Sequence, residues 1–206
     1  MRFLVCVKQV VDTSKMEVDP NTGRLNRNNA NSIINPLDLH ALEAALALRD
    51  QVGGTVTVLT MGPPQAEHVL QYAVSMGADD VYLATDRAFG GADTLATSYT
   101  LAAAIRKLGS FDLIFCGQES LDSNTAQIGP EVAAMLSMPD VSGAVDISYE
   151  REGYITVRRQ LSDEDEVLEM KLPALITTAE SLNRPRYPSA VSYTHLRAHE
   201  TDQYLV

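Results

Sequence analysis

A polar segment at residues 116–130 carries the side chains best suited to bind a ligand. It follows the apolar run Leu113–Phe115, which is typical of a buried strand, and it leads into apolar residues at helical spacing. Its side-chain donors and acceptors are Asp122, Ser123, Asn124, Thr125 and Gln127. Where a parallel strand runs into a helix, free backbone N–H groups and the helix dipole attract phosphate. The segment therefore predicts a nucleotide-binding loop, although an ordinary capped loop would show a similar pattern.

A second segment of this kind lies at residues 86–99. The glycine pair Gly90–Gly91 would let the backbone approach a ligand closely. Asp93, Thr94 and Thr97 stand near an expected helix start, where an aspartate N-cap explains the same pattern without a ligand. The segment is neither G-x-G-x-x-G nor a Walker A sequence, which disfavours a standard Rossmann dehydrogenase and a P-loop enzyme.

Other predicted strand ends and helix starts add polar groups. Cys6 and Lys8 lie at the end of the first predicted strand, and Met61 ends the second. Asn35 precedes a proline at an expected helix start, where an N-cap role is the simplest expectation. Each position has a structural explanation, but all of them would meet at one edge of a parallel sheet, so a single binding crevice explains them together.

Catalytic and metal-binding patterns are missing from the sequence. There is no G-x-S-x-G elbow. His195 and His199 stand four residues apart without an acidic or cysteine partner motif, so we expect no metal site. Cys6 and Cys116 lie inside apparent strands and are expected to be small core residues rather than a disulfide or a catalytic thiol.

The elements that would position these residues alternate between strand and helix. The predicted strands are residues 2–10, 55–61, 81–83 and 111–116, and predicted helices follow from Pro36, after Pro64, at 95–108 and at 127–136. This alternation predicts an α/β fold with a doubly wound parallel sheet. Residues 141–148, 154–161 and 166–172 predict an added antiparallel ribbon, and 173–178 a strand that returns to the core. The turn signal Asp19–Gly23 suggests a further hairpin.

Bulk properties narrow the class of protein. The chain has 206 residues and a net charge of -11, which argues against nucleic acid or an anionic membrane as the main partner. Neither a secretory signal nor an apolar run long enough for membrane insertion is found in the sequence. We therefore expect a cytoplasmic protein that docks on other proteins.

The chain resembles the small (beta) subunit of electron-transfer flavoproteins from Met1 to about Ser189. The resemblance depends on the motifs Val7–Val10, Ile34–Pro36, Glu43–Ala45, Met61–Gln65, Met76–Asp79, Cys116–Gln118 with Asp122, Gln127 and Gly129, and Leu182–Pro188. It implies a heterodimer with a larger alpha subunit that carries a second, electron-transferring FAD. Val11 stands where a proline is usual in the family, a change that leaves the site interpretation intact.

Within the family, residues 89–99 resemble the bifurcating branch. That resemblance implies FAD in the beta subunit, where simpler relatives hold AMP, and NADH as the two-electron donor. It also implies ferredoxin or flavodoxin as one electron acceptor and an acyl-CoA dehydrogenase or similar protein as the other. The candidate cofactor-binding residues are Cys6, Lys8, Asn35, Met61, Ala92, Asp93, Thr94, Thr97, Asp122, Asn124, Thr125, Ala126, Gln127 and Gly129.

The sequence leaves two alternative functions open and predicts where the folded domain ends. A non-redox adenine-nucleotide module of the universal-stress type, or a structural subunit that holds AMP, would use a related sheet. We expect residues 1–189 to form a single nucleotide-binding domain. Residues 190–206 depart from the family, which continues there with a lysine-rich, partner-docking extension, and we expect them to be a non-native or disordered tail.

Overall fold

The computed structural model describes residues 1–12 and 32–189, together with the two-residue strand Tyr204–Leu205. Its strands are β1 (Arg2–Val7), β2 (Gln9–Val11), β3 (Ser32–Ile34), β4 (Thr55–Met61), β5 (Asp80–Ala84), β6 (Leu113–Gly117), β7 (Asp140–Ser148), β8 (Tyr154–Gln160), β9 (Asp165–Lys171), β10 (Ala174–Thr178) and β11 (Tyr204–Leu205). Its helices are α1 (Pro36–Val52), α2 (Glu67–Met76), α3 (Thr94–Leu108) and α4 (Ile128–Leu136). The hairpin predicted at Asp19–Gly23 and the pair His195 and His199 lie outside the described residues.

The large sheet has the strand order β11-β5-β4-β1-β6-β10-β7-β8-β9. Every neighbouring pair from β11 to β7 is parallel, whereas β8 and β9 continue the sheet as an antiparallel ribbon. The predicted doubly wound sheet with an added ribbon is thus confirmed. The order reverses beside β1, because β4 lies on one side of it and β6 on the other, and ligands bind at such a switch point in open α/β sheets.

Alternating side chains of the central strands build one core on each face of the sheet. Phe3, Val5 and Val7 of β1 are buried on one face in the cluster that contains the apolar residues of α1 and α2. Leu4 and Cys6 are buried on the other face in the cluster that contains the inner residues of α3 and α4. Both faces of these parallel strands are covered, which explains why they read as continuous apolar runs in the sequence.

Strand β1 ends earlier than the sequence suggested. We expected it to continue to Val10, but it stops at Val7, and Gln9–Val11 pair instead with Ser32–Ile34 in a separate antiparallel sheet. The reason is a side chain from another element, because the backbone N–H of Lys8 donates to Asp38 Oδ2 at 2.7 Å. This bond turns the chain away from the large sheet at the strand's carboxyl end.

The segment that follows β10 lies along α1. The Arg186 guanidinium donates to both carboxylate oxygens of Glu43, with Nε to Oε2 at 2.9 Å and Nη2 to Oε1 at 3.0 Å. Asn183 Nδ2 donates to the backbone carbonyl of His40 at 2.9 Å. These bonds attach a motif that the sequence singled out, Leu182–Pro188, to the helix that begins at the switch point.

Among the described residues, no helix is long and apolar enough to cross a membrane.

Candidate functional site

A crevice of about 530 Å³ opens at the carboxyl ends of the central strands, between the first turns of α3 and α4. Its volume lies in the range of small-molecule and cofactor sites. Most of the residues predicted from the sequence line it, and they are Cys6, Lys8, Met61, Ala92, Asp93, Thr94, Thr97, Thr125, Ala126, Gln127 and Gly129. The fold therefore brings together side chains from four separate segments of the chain.

Three of the predicted residues do not line the crevice. Asn35 is 1% exposed and lies behind it. Asn35 stands at the N-cap position of α1, but its side chain makes no capping bond. Instead, Asn35 Nδ2 donates to the Glu119 carbonyl at 2.8 Å, and Asn35 Oδ1 accepts from Leu121 N–H at 3.1 Å. The expected cap is thus a tether that fixes the loop after β6. Asp122 and Asn124 lie in that loop without lining the crevice.

The loop before α4 holds its backbone in an unusual conformation. Asn124 has φ of 48° and Ala126 has φ of 53°, both in the left-handed region, and Gln127 returns to φ of −99°. A left-handed residue followed by a right-handed one turns successive N–H groups into one concavity, which binds anions. Left-handed geometry costs a residue such as Ala126 about 1–2 kcal/mol. Strain of this kind is a reason to look for function at the site.

The N–H groups of this concavity are free to bind a ligand. Within the described part of the chain, the backbone N–H groups of Thr125, Ala126 and Gln127 have no acceptor. Ile128 and Gly129 begin α4, so their N–H groups also have no partner within the helix. Together they point the positive end of α4 at the crevice. Gly129 itself is required by packing, because a Cβ there would collide with the Thr177 side chain.

The loop before α3 is organised by its own aspartate. Asp93 Oδ1 accepts from Ala96 N–H at 2.8 Å, so the carboxylate caps α3. Thr94 donates its hydroxyl to Glu131 Oε1 at 3.3 Å, across to α4. Ser98, which is fully buried, donates to Glu131 Oε2 at 2.8 Å. Asp93 and Thr94 therefore line the crevice while their polar groups are already engaged by the protein.

Glu131 was not predicted from the sequence as part of the site. It links the first two turns of α3 to the first turn of α4 through Thr94 and Ser98. An acidic residue near a helix start is common, because it complements the helix dipole. No pattern in the sequence distinguishes that ordinary role from a bridge between two helices.

Lys8 is the basic residue among those that line the crevice. Its Nζ lies 2.6 Å from Asp122 Oδ1, 3.3 Å from Ser120 Oγ and 3.5 Å from Ser123 Oγ. Partial burial would raise the pKa of Asp122, but the hydrogen bonds from Lys8 and Ser120 outweigh burial and lower it. The pair closes the loop after β6 over the end of β1.

Asp38 is a second residue of the crevice that was not predicted from the sequence. It lies in the first turn of α1, is 6% exposed and lines the crevice floor. Its carboxylate accepts from Lys8 N–H at 2.7 Å and from Gly117 N–H at 3.1 Å. Burial raises the pKa of Asp38 to about 7, against the lowering effect of hydrogen bonds from Asn35, Lys8 and Gly117. Asp38 thus joins the ends of β1 and β6 at the switch point.

The arrangement is suited to binding an anion. It presents two helix N-termini, a backbone concavity and one lysine, which together favour an anionic group such as a phosphate. Within residues 1–12 and 32–189, no cluster of three or more His, Cys, Asp or Glu side chains could hold a metal ion.

Comparison with known proteins gives a consistent result. Residues 22–202 match the family model described as the electron transfer flavoprotein domain. A caffeyl-CoA reductase-Etf complex subunit, CarD, from Acetobacterium woodii is 51% identical over 190 residues, covering 92% of this chain and 72% of that protein. An electron transfer flavoprotein subunit beta from Clostridium acetobutylicum is 49% identical over 189 residues, with the same coverage of 92% and 72%. An acryloyl-CoA reductase electron transfer subunit gamma from Anaerotignum propionicum is 48% identical over 191 residues, covering 91% and 71%.

Proposed function

The chain belongs to the electron transfer flavoprotein family, among its beta subunits, and on that premise we propose that its crevice binds FAD. Together with an alpha subunit, the chain would carry electrons from NADH to an acyl-CoA dehydrogenase-type acceptor and to ferredoxin or flavodoxin. The flavin would supply the redox chemistry, and the protein would bind it, orient it and set its electrostatic environment.

The observation that carries the proposal is the convergence of the α3 and α4 N-termini on one crevice. A pyrophosphate has two phosphate groups to neutralise, and two helix starts with free N–H groups can serve both. The α4 start adds the concavity formed by Thr125, Ala126 and Gln127. The residues present therefore fit a dinucleotide such as FAD.

The charges around the crevice restrict how phosphate can be held. Asp38, Asp93 and Glu119 line the crevice beside the single cation Lys8. Side-chain charge alone would therefore repel an anion. Backbone N–H groups must provide most of the attraction, and Lys8 would contribute only by leaving Asp122 for the ligand. Such a site would bind phosphate through its N–H-rich loops rather than through an arginine cluster.

AMP is the alternative ligand of the same crevice. It needs the adenosine pocket and a single phosphate site, whereas FAD also needs room for a ring system beyond the second phosphate. The non-redox module of the universal-stress type is not favoured, because the relatives named above are electron-transfer subunits. The partner proteins of this chain follow the same reasoning, since two of these relatives are named as subunits of CoA-ester reductases.

The absorption spectrum and nucleotide content of the purified heterodimer test the proposal. We expect two flavins per heterodimer, one of them released when the beta subunit alone is denatured after separation. If the heterodimer contains one flavin and one AMP, the ligand of this crevice is AMP rather than FAD. A heterodimer in which this subunit holds neither nucleotide would contradict the proposal.

A further inference from the structure

The floor of the crevice contains two cysteines side by side. Cys6 of β1 and Cys116 of β6 are register partners on adjacent parallel strands. Both are free, both belong to the core on the α3 and α4 face of the sheet, and both line the crevice. They are 7% and 5% exposed. Because the chain contains only two cysteines, this pair brings together all of its thiol groups.

The register of β1 and β6 places the two thiols side by side. Neighbouring strands lie about 4.7–4.9 Å apart, and register partners point to the same face. A bridge with one additional atom between the sulfurs can span this separation without moving the strands. The pair can therefore hold a ligand that inserts between two thiols.

The protonation of Cys116 adds to this geometric argument. The hydrogen bond shared with the Cys6 thiol and burial both raise the pKa of the Cys116 thiol well above its ordinary value. Metal cations require thiolates, so they would have to displace protons from a buried group. A trivalent arsenic oxide reacts with the same thiols in a net step that is neutral, because its oxygen takes up both thiol protons and leaves as water.

We propose that Cys6 and Cys116 form a dithiol site for trivalent arsenicals at the base of the nucleotide crevice. In the reaction an organoarsenic oxide meets two thiols, and the arsenic–oxygen bond breaks while two arsenic–sulfur bonds form. The oxygen leaves as water with the two thiol protons. Arsenic stays trivalent and both sulfurs keep their oxidation state, so no oxidant or reductant is needed.

The proposal has a consequence for the cofactor, which rests on the proposed function. An arsenical attached to both sulfurs would occupy the floor that a bound nucleotide covers, so the two ligands should exclude each other. This exclusion makes the crevice a site of inhibition by thiophilic compounds. The formation of the adduct in the nucleotide-free chain does not depend on what the crevice normally holds.

Phenylarsine oxide added to the full, reduced, nucleotide-free chain tests the site. We expect one arsenical per chain by intact mass and the loss of both titratable thiols. The adduct should survive excess 2-mercaptoethanol and be reversed by 2,3-dimercaptopropanol. In Cys6→Ser and in Cys116→Ser, the adduct should be removed by 2-mercaptoethanol, with affinity at least about 100-fold lower, because one attachment point replaces two. Thermal unfolding of each variant checks that it folds.

Several results would overturn the dithiol site. Two arsenicals per chain, no arsenical, or equal retention by the native chain and a single-cysteine variant would each do so. FAD and AMP form the second arm of the experiment. If either nucleotide binds by equilibrium dialysis but does not slow the arsenical, the thiols are not beneath the nucleotide. If neither nucleotide binds while the one-to-two adduct forms, the proposed function fails and the dithiol site stands.

Discussion

Lys8 tests how a crevice lined with carboxylates attracts a phosphate. Its ion pair with Asp122 is exposed, with side-chain exposures of 44% and 43%, and exposed pairs contribute about 0–1 kcal/mol to stability. Lys8→Met should therefore change the free energy of unfolding by less than about 1 kcal/mol. The affinity for AMP should fall roughly 10- to 100-fold, because a charge-assisted hydrogen bond to phosphate contributes about 1.5–3 kcal/mol. Calorimetric titration measures the affinity.

The control for Lys8→Met is the loss of a distant cation of similar exposure. Arg151 pairs with Glu169 on the ribbon, with side-chain exposures of 57% and 48%. Arg151→Met should leave the affinity for AMP unchanged. An equal loss of affinity in both variants would mean that Lys8 acts only through the net charge of the protein.

The raised pKa of Asp38 predicts that the stability of the fold depends on pH. Its pKa is raised from 3.8 to about 7 in the folded chain, so the unfolded chain binds fewer protons between these values. Stability from this group is therefore fully present below about pH 4 and is lost as the pH rises toward 7. About three units correspond to roughly 4 kcal/mol as an upper bound. Urea unfolding at several pH values should show a steeper loss in the native chain than in Asp38→Asn.

The difference between the two unfolding curves is what isolates Asp38. Other carboxyls, such as Asp50 and Asp122, have lowered pKa values, so they make the free energy of unfolding change with pH in the opposite direction. They are present in both proteins, so their contribution cancels in the comparison. Parallel curves from pH 4 to 7 would show that Asp38 does not titrate in this range.

Gly117 tests the close approach of α1 to the end of β6. A Cβ at this position would lie 2.8 Å from the Leu37 carbonyl carbon and 2.9 Å from Asp38 N, and it would collide with Asp38 Oδ1. Gly117→Ala should destabilise the fold by about 1–3 kcal/mol, because backbone must shift to make room. Chemical denaturation measures this loss.

Gly90→Ala is the matched control for Gly117→Ala. A Cβ at Gly90 would meet its nearest atom, the Arg87 carbonyl oxygen, at 3.4 Å, and φ there is −64°. We expect a change within about 0.5 kcal/mol, as for most surface substitutions. Equal losses in the two variants would contradict the crowding argument.

At the scale of elements, the bridge from Glu131 to Thr94 and Ser98 holds two helix starts together. If it positions α3 and α4 for a ligand that touches both, Glu131→Ala should weaken FAD binding while leaving adenosine binding nearly unchanged. Glu131→Gln should retain the affinity for FAD. Its amide can still form hydrogen bonds with the hydroxyls of Thr94 and Ser98, because a hydroxyl can either donate or accept. Equilibrium binding of the two ligands to each variant measures this difference.

An electrostatic role for Glu131 makes the opposite prediction. A carboxylate near bound phosphate is repulsive, so both Glu131→Ala and Glu131→Gln would then raise the affinity for FAD. The sign of the change in Glu131→Ala therefore decides between positioning and repulsion.

The strands and helices were largely predictable because local pattern and tertiary environment agree. The apolar run Leu113–Phe115 predicts a buried strand, and Gly77 and Gly109 end α2 and α3 as expected, with positive φ angles that glycine adopts without strain. The predicted end of β1 was wrong because the Lys8 N–H donates to the Asp38 carboxylate, thirty residues away in the sequence. The role of Asn35 was wrong for a similar reason, since its partners Glu119 and Leu121 come from a distant loop.

At the scale of the whole molecule, the crevice followed from topology. Parallel strands with right-handed crossovers place their carboxyl ends together, which predicts that Lys8, Met61 and the two loops meet. The positions of Asp38 and Glu131 did not follow, because an acidic residue in a first helical turn has an ordinary explanation. The pairing of Cys6 with Cys116 required the register of β1 and β6, which strand prediction alone does not give.

The central claim is that the α4 start and its preceding concavity bind the phosphate of a nucleotide. An experimental structure of the heterodimer with its native nucleotide tests this claim most directly. We expect phosphate oxygens within hydrogen-bonding distance of the backbone N–H groups of Thr125, Ala126 or Gln127, and the remainder of the nucleotide between α3 and α4. A nucleotide whose phosphates lie farther than one side-chain length from this loop would contradict the account.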